Sequence, residues 1–177
     1  MLFSNLVQKM FPTWRSLVLA LSVLTSLPAS GSSQDATTTI YIVRHAEKRD
    51  GSADPGLTEK GRKRAEELSH IMQDASLTAI FVSKRVRTQE TAQPTADATH
   101  IEPKQADSWE TIVKDILNNH TGGHVLVVAH SETVDNIATG LGAAGVPELN
   151  ARQYDRLFIV HRLGDKAHVH GLRYGEQ

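Results

Sequence analysis

From residue 39 onward, short apolar runs alternate with stretches in which apolar residues recur every three or four positions. "TIYIV" (39–43), "LTAIFV" (77–82) and "HVLVVA" (124–129) are β-branched and unbroken by charge, which suits strands buried on both faces. Between them the period changes. Thr58 is placed to cap a helix whose Gly61, Ala65, Leu68 and Met72 fall on one stripe, and residues 84–97 form a second helix ending near Asp97. Ser108 caps a third helix, with Trp109, Ile112, Val113, Ile116 and Leu117 on its apolar side, and Gly122 and Gly123 stop it. Ser131 opens a fourth, carrying Val134, Ile137, Ala138 and Leu141. "THIE" (99–102) reads as a short strand, residues 142–155 as loop, and "RLFIVHRL" (156–163) and "AHVHGLRY" (167–174) as closing strands. Such alternation predicts an α/β three-layer sandwich with a mostly parallel central sheet and helices on both faces.

The start of the chain follows a different rule. Lys9 and Arg15 precede the apolar run "LVLALSVLTSL" (17–27), and Pro28 and the small residues "ASGSS" come after it. Basic, then apolar, then small is the order of a secretory signal peptide, and a mainly apolar run of eleven residues falls short of the roughly 20 that span a membrane. Residues 1–31 are therefore expected to be cleaved, an uncleaved anchor being the competing reading, with 32–38 a polar leader and 39–177 the mature domain. That makes the protein exported, periplasmic or secreted, without stable membrane insertion after cleavage. The 177-residue chain has no cysteine, so an exported domain must stand on packing alone. Loss of Lys9 and Arg15, two cations, takes the formal charge from −1 to −3, which does not favour nucleic acid as a partner.

In a parallel sheet, ligands bind beyond the carboxyl ends of the strands. The chain puts its least expected polar residues there: Arg44 and His45 after the first strand, Ser83, Lys84, Arg85 and Arg87 after the second, His130 and Ser131 after the third of these runs. If the three strands are neighbours, two imidazoles and at least two guanidinium groups share one cleft, and an oxyanion is the ligand that this charge requires. Phosphate fits best, since guanidinium binds its oxygens in bidentate fashion at any working pH. Helices beginning near Ser83 and Ser131 are expected to point their N-termini at the same anion. An imidazole with one nitrogen hydrogen-bonded to a carbonyl can attack phosphorus through the other.

The blocks "VRHAEK" (43–48), "SKRVRTQETA" (83–92) and "VVAHSETV" (127–134), in that order and each at a strand end, resemble the signature blocks of the histidine phosphatase superfamily, the phosphoglycerate mutase-like proteins. "LTEKGRKRAEEL" (57–68) and "YDRLFIV" (154–160) are similar to further parts of that family, so the resemblance spans about Thr39 to Tyr174. It implies a small exported branch of the family acting as a phosphatase. His45 becomes phosphohistidine, and Arg44, Arg87 and His130 hold the phosphoryl group. Arg87 rather than Arg85 stands where the family block carries its arginine. Ser131 and Lys48 are secondary substrate-binding candidates.

The family's proton donor has no single counterpart. One branch has an Asp directly after the second histidine, where this chain has Ser131 and then Glu132. Other members place the acid between the second and third blocks, where Glu102, Asp107 and Glu110 stand. Asp107, ahead of a helix in a rim loop, is the preferred donor and Glu132 the alternative. No cofactor and no metal are implied. The substrate is a phosphorylated molecule: a small ester, a phosphosugar, a lipopolysaccharide phosphate or a phosphoprotein. The rival readings are a phosphate- or phosphoglycan-binding module with little turnover, and a phosphomutase.

Other features read as structure. Lys60, Arg62, Lys63, Arg64, Glu66 and Glu67 are expected on a solvated helix face, Glu47 and Lys48 as an exposed pair, and Trp109 as core. His161, His168 and His170, without cysteine or an acid cluster beside them, are taken as sheet surface rather than metal ligands. No Gly-rich phosphate loop is present, which disfavours an ATP-using kinase.

Overall fold

A computed structural model describes residues 36–176. The signal-peptide reading of residues 1–31 lies outside them, as does the start of the polar leader.

The described chain forms one six-stranded sheet in the order β3-β2-β4-β1-β5-β6. Strands β1 (Thr38–Arg44), β2 (Ala79–Ser83), β3 (Lys104–Ala106) and β4 (His124–Ala129) are mutually parallel. β5 (Arg156–Leu163) runs antiparallel to β1, and β6 (Lys166–Arg173) antiparallel to β5. The sheet is thus mixed, with its parallel part central, as the strand–helix alternation predicts.

Period-2 alternation divides each central strand between two cores. Ile40, Ile42, Phe81, Val125 and Val127 pack with Ile112 and Ile116 of α3 (Trp109–Asn119) and Ile137 and Ala138 of α4 (Val134–Gly140). Val43, Ile80, Val82, Leu126 and Val128 pack with Leu68 and Met72 of α1 (Glu59–Met72) and Ala92 and Ala96 of α2 (Val86–Thr99). Two helices cover each face. Thr58 and Ser108 cap α1 and α3 as expected, their hydroxyls accepting from the amides of Gly61 and Thr111.

Four local expectations are corrected. Residues 99–102 are not a strand, because α2 runs to Thr99, His100 closes it in the left-handed region and Pro103 has no N–H to give a ladder; the edge strand starts at Lys104 instead. The fourth helix starts at Val134, not Ser131, since residues 131–133 form a turn in which the His130 amide donates to Thr133 Oγ1 at 3.0 Å. Arg64 is not on a solvated face. It is 3% exposed, and its Nε and Nη2 donate to the Glu47 carboxylate at 2.9–3.2 Å while Nη1 donates to the Tyr174 carbonyl. Glu47 accordingly pairs with Arg64 and is largely buried, whereas Lys48 pairs with Asp50.

The Glu47–Arg64 pair pins the segment after β1 onto α1. Gly61 allows the same approach, because a Cβ there would run into the Glu47 carbonyl oxygen. Removing one partner of a buried pair strands the other charge. Arg64→Ala is therefore expected to lower the unfolding free energy by about 3 kcal/mol, measured by urea denaturation; a change within experimental error would show that the pair does not hold this segment.

Candidate active site

The parallel register sets Arg44 opposite Ala129, so the next residues, His45 and His130, leave adjacent strands side by side. His45 continues the ladder by donating its amide to the Ala129 carbonyl at 2.9 Å. The two rings lie with centroids 5.4 Å apart in an edge-on arrangement. Arg87, in the first turn of α2, completes the group by donating from Nη2 to His130 Nδ1 at 3.3 Å.

Each imidazole has a defined proton position. His45 is 3% exposed and its Nδ1 lies 2.8 Å from the Ala46 carbonyl, so Nδ1 carries the proton and Nε2 the lone pair. At His130 the guanidinium can only donate, which makes Nδ1 the acceptor; Nε2–H then donates to Ser83 Oγ at 2.9 Å. Threonines of α2 fix the surroundings. Thr91 Oγ1 accepts the Ala46 amide at 2.9 Å and donates to the Arg87 carbonyl, and Thr88 shares a hydroxyl contact with Ser83.

Arg44 is buried beneath the loop before β5. Its Nη1 donates to the carbonyls of Asn150 and Gln153 at 2.9 and 3.3 Å, and its guanidinium carbon lies 4.1 Å from the Tyr154 ring centroid. The Nε–H groups of Arg44 and Arg87 are both buried without an acceptor. Buried donors of this strength are rarely left unpaired, and an oxyanion is the acceptor they suit.

The electrostatics agree with that reading. Burial pushes His45 down to about 3, opposed by its bond to Ala46 and assisted by Arg44, Arg87 and His130. His130 is also lowered, first by burial and then by Arg87. Burial lowers Arg44 too, with Arg87 adding to the effect. The site resists more positive charge and keeps its imidazoles neutral.

The acidic candidates are placed differently. Glu132 is exposed; although burial works against it, its own backbone amide, the Ser131 hydroxyl, His130 and Arg87 hold it below the usual carboxylate range. Ser131 Oγ donates to Glu132 Oε2 at 3.0 Å rather than opening a helix. Asp107 forms an exposed ion pair with Lys84 at 2.5 Å and lines a cleft of about 590 Å³ that also contains Ser83, Arg85, Trp109 and His130. Glu102 and Glu110 are not among the lining residues. Lys48 sits on the loop between β1 and α1, 3.8 Å from Asp50.

One carboxylate was not singled out from the sequence. Asp54, in the same loop, lies 3.6 Å from Arg87 Nη1 and accepts the Val86 amide at the start of α2. The expectation that the N-termini of the second and fourth helices aim at a bound anion is therefore corrected: Asp54 takes the first amide of α2, and α4 begins three residues late. Thirty-odd residues separate Asp54 from its partners, and "RDGSADPG" carries only a loop signal. Tyr154, stacked on Arg44, carries no sequence signal beyond its place in the block "YDRLFIV".

His161, His170 and His168 meet edge to face on the exposed side of β5 and β6, with ring centroids 4.5–6.0 Å apart. Among the described residues no group of three or more His, Cys, Asp or Glu side chains is arranged to hold a metal, and no helix is long and apolar enough to cross a membrane.

The family comparison matches this geometry. The model of the histidine phosphatase superfamily (branch 1) matches residues 40–112, which carry Arg44, His45 and Arg87. Solved structures of similar fold include an Agrobacterium tumefaciens protein provisionally called phosphohistidine phosphatase SixA, 21% identical, with TM-score 0.52 and 72% of this chain and 96% of that one covered. A mycobacterial glucosyl-3-phosphoglycerate phosphatase is 13% identical, with TM-score 0.58 over 71% and 90%. A phosphoglycerate mutase from Bacillus anthracis is 16% identical, with TM-score 0.59 over 78% and 94%. No curated protein matches significantly in sequence. The chain has the phosphoglycerate mutase-like α/β fold, and its residues 40–112 match the histidine phosphatase superfamily model.

The depressed His45 has a consequence for stability. In the unfolded chain a histidine titrates near 6.5, so between pH 6.5 and 3 the unfolded state binds a proton that the folded state refuses. Stability from this group is complete above pH 6.5 and is lost as pH falls. Against His45→Gln, the wild type should lose roughly 2 kcal/mol more between pH 6.5 and 4.5, read by thermal unfolding at both values. Equal losses would place the imidazole in water.

Proposed function

We propose that this chain is a phosphatase that hydrolyses phosphate monoesters or related phosphoryl groups through a phosphohistidine on His45. The observation that supports it most is the buried neutral imidazole, its Nδ1–H donating to the Ala46 carbonyl, set 5.4 Å from His130 among cations with unpaired Nε–H groups. The Nε2 lone pair of His45 attacks phosphorus and the bond to the leaving oxygen breaks. Arg44, Arg87 and His130 take up the charge of the transferring oxygens. Water then attacks the phosphohistidine, the P–N bond breaks and inorganic phosphate leaves. The positive charge that this requires comes from the chain's own side chains.

Asp107 is the proposed proton donor to the leaving oxygen. It lines the cleft that His130 enters, whereas Glu132 is held ionised. Export to the periplasm or outside the cell is proposed on the leader pattern of residues 1–31 alone.

One observation favours a binding module instead. Asp107, the proposed donor, is engaged by Lys84 in the free protein. Turnover of an activated aryl phosphate separates the two readings. His45→Ala should abolish it with the fold intact, Arg87→Ala should lower kcat/KM by about 10²–10³, and orthovanadate should inhibit competitively. Rapid quenching should trap an acid-labile phosphoenzyme in the wild type only. Full activity in His45→Ala would overturn the assignment, and binding of phosphate without turnover would establish the module.

A further inference from the structure

The cleft beside His130 is larger than a phosphoryl group needs. Its volume of about 590 Å³ lies within the range, ~300–1,000 Å³, of pockets that enclose a whole small molecule. Its walls are unlike the cationic site. Ala106, Trp109, Ile112 and Ile137 give them an apolar side, with Lys84, Arg85 and Asp107 along the other, and the half-buried Trp109 ring rests on α4 at Gly140, where a Cβ would come within 3.2 Å of Cζ3. The cleft meets the site through Ser83 and His130 and does not include His45, Arg44 or Arg87 among its lining residues. Attack by His45 in line with the departing group puts the leaving oxygen on the side of phosphorus away from His45. The leaving group therefore belongs to a subsite other than the one the nucleophile occupies, and this cleft is the space that the site opens into.

The acid equipment narrows the class further. A basic alkoxide needs strong help from a proton donor to depart, and the one acid lining this cleft, Asp107, stands in an exposed pair with Lys84. A phenol, whose hydroxyl ionises near 10, departs with little help. Flat and apolar, it also suits a tryptophan face.

Resting on the phosphatase reading, we infer that the Trp109 cleft is a leaving-group subsite and that the substrates are phosphomonoesters of aromatic, phenol-type alcohols. Three substrates test this with wild type, Trp109→Ala and Trp109→Phe: 2-naphthyl phosphate, glycerol phosphate, and acetyl phosphate, which is activated but has no ring. Wild type should hydrolyse naphthyl phosphate at least tenfold better in kcat/KM than glycerol phosphate. Trp109→Ala should lose about tenfold on naphthyl phosphate, mostly in KM, and Trp109→Phe should restore most of it. Acetyl phosphate turnover should be alike in all three, which also reports that each variant is folded. Equal hydrolysis of the naphthyl and glycerol esters, or an unchanged naphthyl KM in Trp109→Ala, would overturn the subsite while leaving the phosphatase intact. No hydrolysis of acetyl phosphate by wild type would bring down the phosphatase reading, and the subsite with it.

Discussion

The register between β1 and β4 is the constraint on which everything else rests. Arg44 opposite Ala129 makes His45 and His130 neighbours across one strand spacing, about 4.8 Å. A slip of one residue would turn Ile40 and Ile42 from the α3–α4 core to the α1–α2 core and remove the pairing of the imidazoles. The same apolar alternation that holds the layers together therefore fixes the spacing of the two rings.

Charge is arranged around that spacing. A buried guanidinium, a half-buried one and two imidazoles crowd together, and the structure relieves the repulsion by keeping both imidazoles neutral rather than by burying carboxylates among them. Acids stand at the margin: Asp54 beside Arg87, Glu132 beyond His130, Asp107 on Lys84. An arriving oxyanion meets donors already desolvated and oriented, which is the condition under which such donors are most effective.

Holding His45 takes more than a strand. The segment after β1 is clamped at Ala46 by Thr91, at Glu47 by Arg64 and at Leu57 by Glu90, so α1 and α2 both restrain it. This explains the buried Thr88 and Thr91 of α2, where a helix packed on a sheet would ordinarily carry larger apolar residues. Side chains of α2 orient Ala46 and Ser83, and through them the two histidines.

By itself, the sequence determined what depends on near neighbours. Apolar runs, stripes and caps specify β1, β2, β4 and the four helices, since their periodicity and end signals are local. Arg44, His45 and His130 are legible because each stands at or directly after a strand end, whereas only the family resemblance tells Arg87 from Arg85. Tertiary structure alone decided which charges meet. Arg64 follows a helix-surface pattern, yet it is buried by Glu47, seventeen residues earlier, and by the Tyr174 carbonyl near the far end of the chain. Asp54 sits in a loop with no periodicity, and only the folding of that loop over α2 brings it to Arg87. Trp109 carries a core-like spacing, but the position of α3 relative to β4 leaves part of its ring facing the cleft. Side-chain pairing across long separations depends on how packed layers bring distant segments together, and a local pattern holds no record of that.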